Sequence, residues 1–390
     1  MKIFIKFILL ILVANSAHAN NLFESSQPVS LTITAPFKKL FDTRSESQSV
    51  LLDSLEKSVA GILQVINPNT QSLETYDVEL TMRGNYTLMA CQFPKLKIKF
   101  KKEQTKKDRY FNKKKYDLAT HCVNSVEGIT DPILTKFFSS SPHREKFLFD
   151  IQEQLSIAVP KTQNALINYI DNSESALIAY NQKPAFFIEN KSNMIERLNG
   201  LYQVIGEYDF SKKIIQGQAT NTVDDNFPRN IFKNIQDHQE INKNESIKLH
   251  LFSSLVMNYD FYIKIDSTDS RDGNKDVGFH NVKCIAISET EWRLHANDLN
   301  FASILQNNDQ TSGQGRIILE SIQDANIEKT ITRVQKIGTT DDFNNVILFY
   351  KSKKDDLYKM ADSLTQDPMF MKNYLMYLDV FYKKIDNINK

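Results

Sequence analysis

The chain has 390 residues, with 48 lysines and arginines against 47 aspartates and glutamates and a formal net charge of +1. Such a balance argues against general nucleic-acid binding, which needs a strong basic excess. With 11 glycines and 10 prolines the chain is not linker-rich or low in complexity, and its length suits one two-lobed unit or two domains.

Residues 1–19 read as a secretory leader. Lys2 and Lys6 give the positive start, the run from Ile8 to Val13 extended back through Ile3, Phe4 and Ile5 gives the apolar core, and Ala17-His18-Ala19 places small residues where a signal peptidase reads. The apolar run is short of the roughly 20 residues needed to span a bilayer. Cleavage after Ala19 is expected, with a mature chain beginning at Asn20 and no lipid-bearing cysteine at the cut. Losing Lys2 and Lys6 takes the formal charge from +1 to −1. No later segment approaches transmembrane length, so the expected location is the periplasm or outside the cell.

The alternation from Val29 to Thr34 predicts a half-buried strand. Helical spacing predicts a helix over about 46–63. Alternation returns from Tyr76 to Met82, breaks at Arg83-Gly84-Asn85, and resumes from Leu96 to Phe100 with Lys95, Lys97 and Lys99 on the opposite face. A helix over about 143–157 has Phe147, Ile151, Leu155 and Ile157 on its apolar side, and strands are expected over about 165–170 and 185–189. Beyond Glu189 the pattern gives a helix at about 193–198, a polar irregular stretch in 208–246, and a helix at about 247–260. Short strands follow at about 282–287 and 292–294, and from about 316 the chain is mostly helical, ending in an amphipathic helix near 369–385. The expected organisation is a β-rich first lobe over 20–190 and a mainly helical second lobe over 191–390.

Of the three cysteines, Cys91 and Cys122 bracket one strand-rich segment and are the expected disulfide in an oxidising compartment, leaving Cys284 free. No CxxC occurs and the seven histidines are scattered, so zinc is not indicated.

Three clusters carry chemistry. Arg83-Gly84-Asn85-Tyr86 and the strand Cys91–Phe100 form a glycine turn beside a lysine, where backbone N–H groups and an ammonium can meet phosphate. Asn258-Tyr259-Asp260 with His280-Asn281 offers a carboxylate to take a hydroxyl proton and an amide oxygen to ligate a divalent metal. Asn297-Asp298-Leu299-Asn300 offers hard oxygen ligands for Mg²⁺. No G-x-S-x-G elbow or HExxH helix points to a hydrolase; His121 and His280 read as structural and Trp292 as core.

In that order these parts resemble the CotH-like secreted or spore-coat atypical kinases, and more closely an exported bacterial group related to them. The resemblance spans about residues 78–305 and rests on Arg83–Tyr86, Cys91–Phe100, Thr120-His121-Cys122, Phe186–Glu189, Met257–Asp260 and His280–Val282. It implies an α+β, two-lobed, atypical protein-kinase-like fold. It also implies a Mg²⁺- and ATP-dependent phosphotransferase acting on a protein or small-molecule hydroxyl. Asp260 would be the catalytic base; Arg83, Gly84, Lys97 and Glu189 would meet the nucleotide; Asn281, Asp298 and Asn300 would hold the metal. Lys97 is preferred to Lys95 and Lys99 because it lies mid-strand. Where the related proteins have a second acid, a glycine, and a glycine before the Asn, this chain has Asn300, Ser303 and Met257. An amide in place of a carboxylate weakens Mg²⁺ binding, so the alternative is a catalytically degenerate envelope or surface binding protein.

Overall fold

The structure, a computed structural model, describes residues 22–25, 27–42, 57–83, 91, 93–106, 108–122, 142–173, 179–204, 235–236, 239–258, 261–266, 268–269, 279–280, 282–296, 299, 302–305 and 314–388. The leader expected at residues 1–19 lies outside them.

Seven strands close on themselves in the order β1-β2-β3-β4-β5-β7-β6. They are β1 (Val29–Ala35), β2 (Ser58–Ile66), β3 (Leu73–Met82), β4 (Leu96–Phe100), β5 (Lys115–Ala119), β6 (Thr162–Asp171) and β7 (Ala179–Glu189). Six of the seven pairings are antiparallel; β1 and β6 run parallel, Val29 aligning with Ala165 and Ala35 with Asp171. This closure overturns the two-lobed kinase-like fold implied by the resemblance: the β-rich part is a barrel with no sheet edge, because both sides of β1 are paired.

Period-two alternation fills the barrel. In β4, Leu96, Ile98 and Phe100 point inward and Lys97 and Lys99 outward; in β3, Glu74, Tyr76, Val78, Leu80 and Met82 are the inward set. Tyr76, Phe100, Phe111, Tyr116 and Phe187 meet at ring-centroid distances of 5.0–6.1 Å, mostly edge-to-face. Gly61 in β2 allows close approach, since a Cβ there would lie 2.9 Å from the Thr34 carbonyl oxygen.

The helix expected over 46–63 is corrected where the chain is described. Val59 and Leu63 have helical spacing, yet Ser58–Ile66 is a strand, because pairing with β1 on one side and β3 on the other outweighs that spacing. Residues 46–56 lie outside the described set. The short helix α1 (Phe37–Phe41) buries Phe37 and Leu40 on the barrel.

Helix α2 (Pro142–Gln154) joins the barrel to the second half. Phe149 lies 6.0 Å from Phe186 of β7, while Phe147 meets Phe370 at 5.6 Å and Tyr374 at 4.8 Å. That half contains α3 (Lys191–Arg197), β8 (Tyr202–Val204), α4 (Lys243–Leu255), β9 (Tyr262–Ile263), β10 (Phe279–His280), β11 (Val282–Ala286) and β12 (Trp292–Ala296). Four more helices end the chain: α5 (Gln314–Val334), α6 (Thr340–Ser352), α7 (Lys354–Met360) and α8 (Pro368–Ile385). Strands β12, β11 and β8 form a three-stranded sheet, and β9 pairs with β10. Helix α4 is buried on nearly every side and centres the second core, which takes in Phe186 and Ile188 from the outer face of β7. Among the described residues no helix is long and apolar enough to cross a membrane.

Candidate functional site

Strand β7 leaves the barrel at Glu189. Asn190 then caps α3, its side chain accepting from Ser192 N at 3.2 Å. The helix swings Arg197 back onto Glu189: Nη2 donates to Oε2 at 2.8 Å and Nε to both carboxylate oxygens at 3.1 Å. Arg197 Nη2 also donates to the Val159 carbonyl at 2.7 Å, and Lys161 N to Glu189 Oε2 at 3.0 Å. With 6 % of its side chain exposed, Glu189 is a buried carboxylate held by a guanidinium fork and a backbone amide.

The residues expected to meet phosphate divide. Arg83 pairs with Asp117 of β5 at 2.9 Å. Lys97 is exposed on the outer barrel wall, in register with Thr81 and Asp117. Lys95, the competitor just before β4, is instead turned to α2, where its Nζ lies 2.7 Å from Glu145 Oε1 in a pair with 14 % and 9 % exposure. Lys97 and Glu189 therefore belong to different environments, one on the barrel wall and one in the seam beside α3.

Gly84, Asp260, Asn281, Asp298 and Asn300 lie outside the described residues; two pairings join described residues near four of them. Asn258 forms an isolated bridge with Ala302, and Val282 of β11 pairs with Ala296 of β12. Among the described residues no group of three or more His, Cys, Asp or Glu is placed to hold a metal ion.

The seam between α3 and the three-stranded sheet carries groups that the sequence did not single out. Met194 of α3 packs on Ile285 of β11 with Ala158. On the face that β11 and β12 share with Ile285 stand Lys283, Arg293 and His295, since Lys283 aligns with His295 and Ile285 with Arg293. His295 is 4 % exposed; its Nδ1 lies 3.2 Å from the Ala296 carbonyl, and its Nε2 has no hydrogen-bond partner. Burial pushes this imidazole down to about 4, opposed by the Ala296 contact and reinforced by Lys283 and by Lys191 of α3. Further along, a cleft of about 190 Å³ is lined by Ile157, Val159, Lys161, Arg197, Leu198 and Arg293 among others. No local motif marks these residues, because strand register and helix return bring them together.

Cys91 and Cys122 form the expected disulfide, and Cys284 is a buried free thiol. His121 lies among Phe93, Tyr169 and Tyr180 with ring centroids at 4.9, 5.6 and 5.3 Å. Trp292 is partly buried against the second core. No protein-family model, curated protein or solved structure matches the chain.

Proposed function

We propose that the protein is an exported, non-catalytic binding or scaffold protein of the envelope or cell surface. The leader-like residues 1–19 support export, as does the Cys91–Cys122 disulfide, since such bonds persist in oxidising compartments. The observation that carries the reading is the capture of Glu189 by Arg197. Both carboxylate oxygens are engaged inside the protein, so this strand-end group holds the barrel to α3 and is not presented to a nucleotide. Lys97 on the outer wall and the amide at Asn300 point the same way.

A thermal-shift titration with ATP and Mg²⁺ or Mn²⁺ tests it. A ligand that binds only the native state raises the midpoint with the logarithm of its concentration over Kd. The expected result is no metal-dependent rise at millimolar nucleotide. A rise that Asp298→Ala abolishes would overturn the reading.

Two observations favour a second reading, a Mg²⁺-ATP phosphotransferase acting on a hydroxyl acceptor. Lys95 and Glu145 form a buried lysine–glutamate pair, an arrangement protein kinases use to position phosphates. Asn258 near Asp260 is also bridged to Ala302 near Asn300, and Val282 near Asn281 is paired with Ala296 near Asp298. In this reading Asp260 takes the acceptor proton, and Asn281, Asp298 and Asn300 ligate the metal. Phosphate transfer lost in Asp260→Asn would favour it over the first.

A further inference from the structure

We infer that the cleft between the end of α2, α3 and β12 binds a small dipolar ligand, an α-amino acid with an aliphatic side chain. Its carboxylate lies at Lys161 and its ammonium at Glu153. The inference rests on the binding-protein reading and gives that protein a ligand class.

The chain builds the cleft where it turns back from α2 towards β6. Ser156 takes a left-handed φ of 52°, and Ile157 N donates to the Gln152 carbonyl at 2.9 Å, a helix ending that reverses direction. The strip that follows is fixed at two further points. The Val159 carbonyl accepts from Arg197 Nη2 at 2.7 Å, and Lys161 N donates to Glu189 Oε2 at 3.0 Å. Ile157, Ala158 and Val159, with Leu198 just past α3, give the cleft its apolar walls. A volume of about 190 Å³ equals about six waters at ~30 Å³ each, which suits a ligand well below nucleotide size.

The balance of charge selects the ligand. Glu153, Lys161, Arg197 and Arg293 all line the cleft. The two arginines are answered inside the protein: Arg197 by Glu189 at 2.8 Å, and Arg293 by Glu291 at 3.1 Å and Glu245 at 3.6 Å. Lys161 and Glu153 are not. Neither side chain has an ion pair or hydrogen bond among the described residues, and none joins the two to each other. The uncompensated charges are therefore one of each sign. A simple anion would leave Glu153 opposing it and a simple cation would leave Lys161 opposing it, whereas a ligand with both ends pairs both. Arg293 bonds Glu291 through Nε alone, so its two terminal nitrogens remain to share the carboxylate. The aliphatic side chain then lies against Ile157, Val159 and Leu198.

The test is isothermal titration of the purified protein with L-valine and L-leucine, and with the N-acetyl and carboxamide forms of each. Saturable binding of a free amino acid is expected, and each blocked form, having lost one charge-assisted contact, should bind about tenfold or more weakly. Lys161→Ala should weaken the free amino acid by a similar factor and leave the carboxamide unchanged. Glu153→Gln should weaken the free amino acid and leave the N-acetyl form unchanged. Lys97→Ala should change nothing. Because neither side chain has a partner in the protein, both variants should keep the native thermal midpoint, and either one alone suffices for the test. No saturable binding of either amino acid, or binding indifferent to both blocks and both substitutions, overturns the site and leaves the binding-protein reading standing. Phosphate transfer from Mg²⁺-ATP, measured separately, overturns the reading on which the site rests.

Discussion

Arg144, near the start of α2, grips Asp367, the residue that caps α8: Nε lies 2.6 Å and Nη2 2.9 Å from the two carboxylate oxygens. The same carboxylate accepts from Phe370 N and lies 3.0 Å from His143 Nε2, and Arg144 Nη1 donates to the Leu305 carbonyl at 3.2 Å. One side chain thus ties the barrel-joining helix to the final helix and to the turn before α5.

Removing one partner of a buried pair strands the other charge, which costs about 3–5 kcal/mol. With 8 % and 13 % of the two side chains exposed, Arg144→Ala should lose stability of that order in urea unfolding. Burial works against the Asp367 charge, yet Arg144 and Phe370 N hold its pKa below the usual carboxylate value. The stabilisation is therefore present above the unfolded carboxylate pKa and is lost as pH falls through the lower folded value. Arg144→Ala should flatten that acid limb; an unchanged limb would remove this pair from the account.

The Cys91–Cys122 bond closes a loop with a sequence separation of 31. Loop-closure entropy at that length gives about 3–4 kcal/mol. Reduction, or Cys91→Ala with Cys122→Ala, should lower the thermal midpoint by several degrees. An identical melt with and without reductant would show that the crosslink contributes nothing.

Gly61→Ala probes close packing between neighbouring strands. The added methyl would lie 2.9 Å from the Thr34 carbonyl oxygen and 3.0 Å from Ala35 Cβ, both on β1. Strands must separate to admit it, at a cost of about 1–3 kcal/mol typical of overpacking. Faster amide exchange in β1 and β2 than in β4 would locate the damage; uniform exchange would argue against it.

His121 should contribute to acid sensitivity. Burial, then Lys183, pushes its pKa down to about 4, while an unfolded histidine titrates near ~6.5. The unfolded chain takes the proton first, so stability falls as pH drops from about 6.5 to about 4. His121→Phe keeps the aromatic contacts and should reduce that slope in urea midpoints measured at several pH values. A slope equal to that of the native chain would place the acid sensitivity elsewhere, as at His250 or His295, whose pKa values also lie near 4 through burial.

Local pattern reached some of this structure. Alternation in Val29–Thr34, Tyr76–Met82 and Leu96–Phe100 corresponds to β1, β3 and β4, and the apolar face of Phe147, Ile151 and Leu155 to α2 and the turn after it. Barrel closure was not legible, because the parallel pairing of β1 with β6 leaves no mark in either strand. Lys95, Lys97 and Lys99 alternate alike in sequence; only the position of α2 makes Lys95 the buried member. Glu189 was visible as a strand-end acid, whereas its partner Arg197 depends on the direction α3 takes after Asn190.

The parallel seam between β1 and β6 has a consequence for the order in which the chain can be completed. The first strand leaves the ribosome long before Ala165–Asp171, which must lie beside it. Until then Val29–Ala35 has one satisfied neighbour at most, and its other side is a row of unpaired backbone groups open to any strand. Topologies that join distant segments fold slowly for this reason. The chain is thus suited to being held unfolded through synthesis and released whole, and a truncation before Thr162 should yield an aggregating fragment.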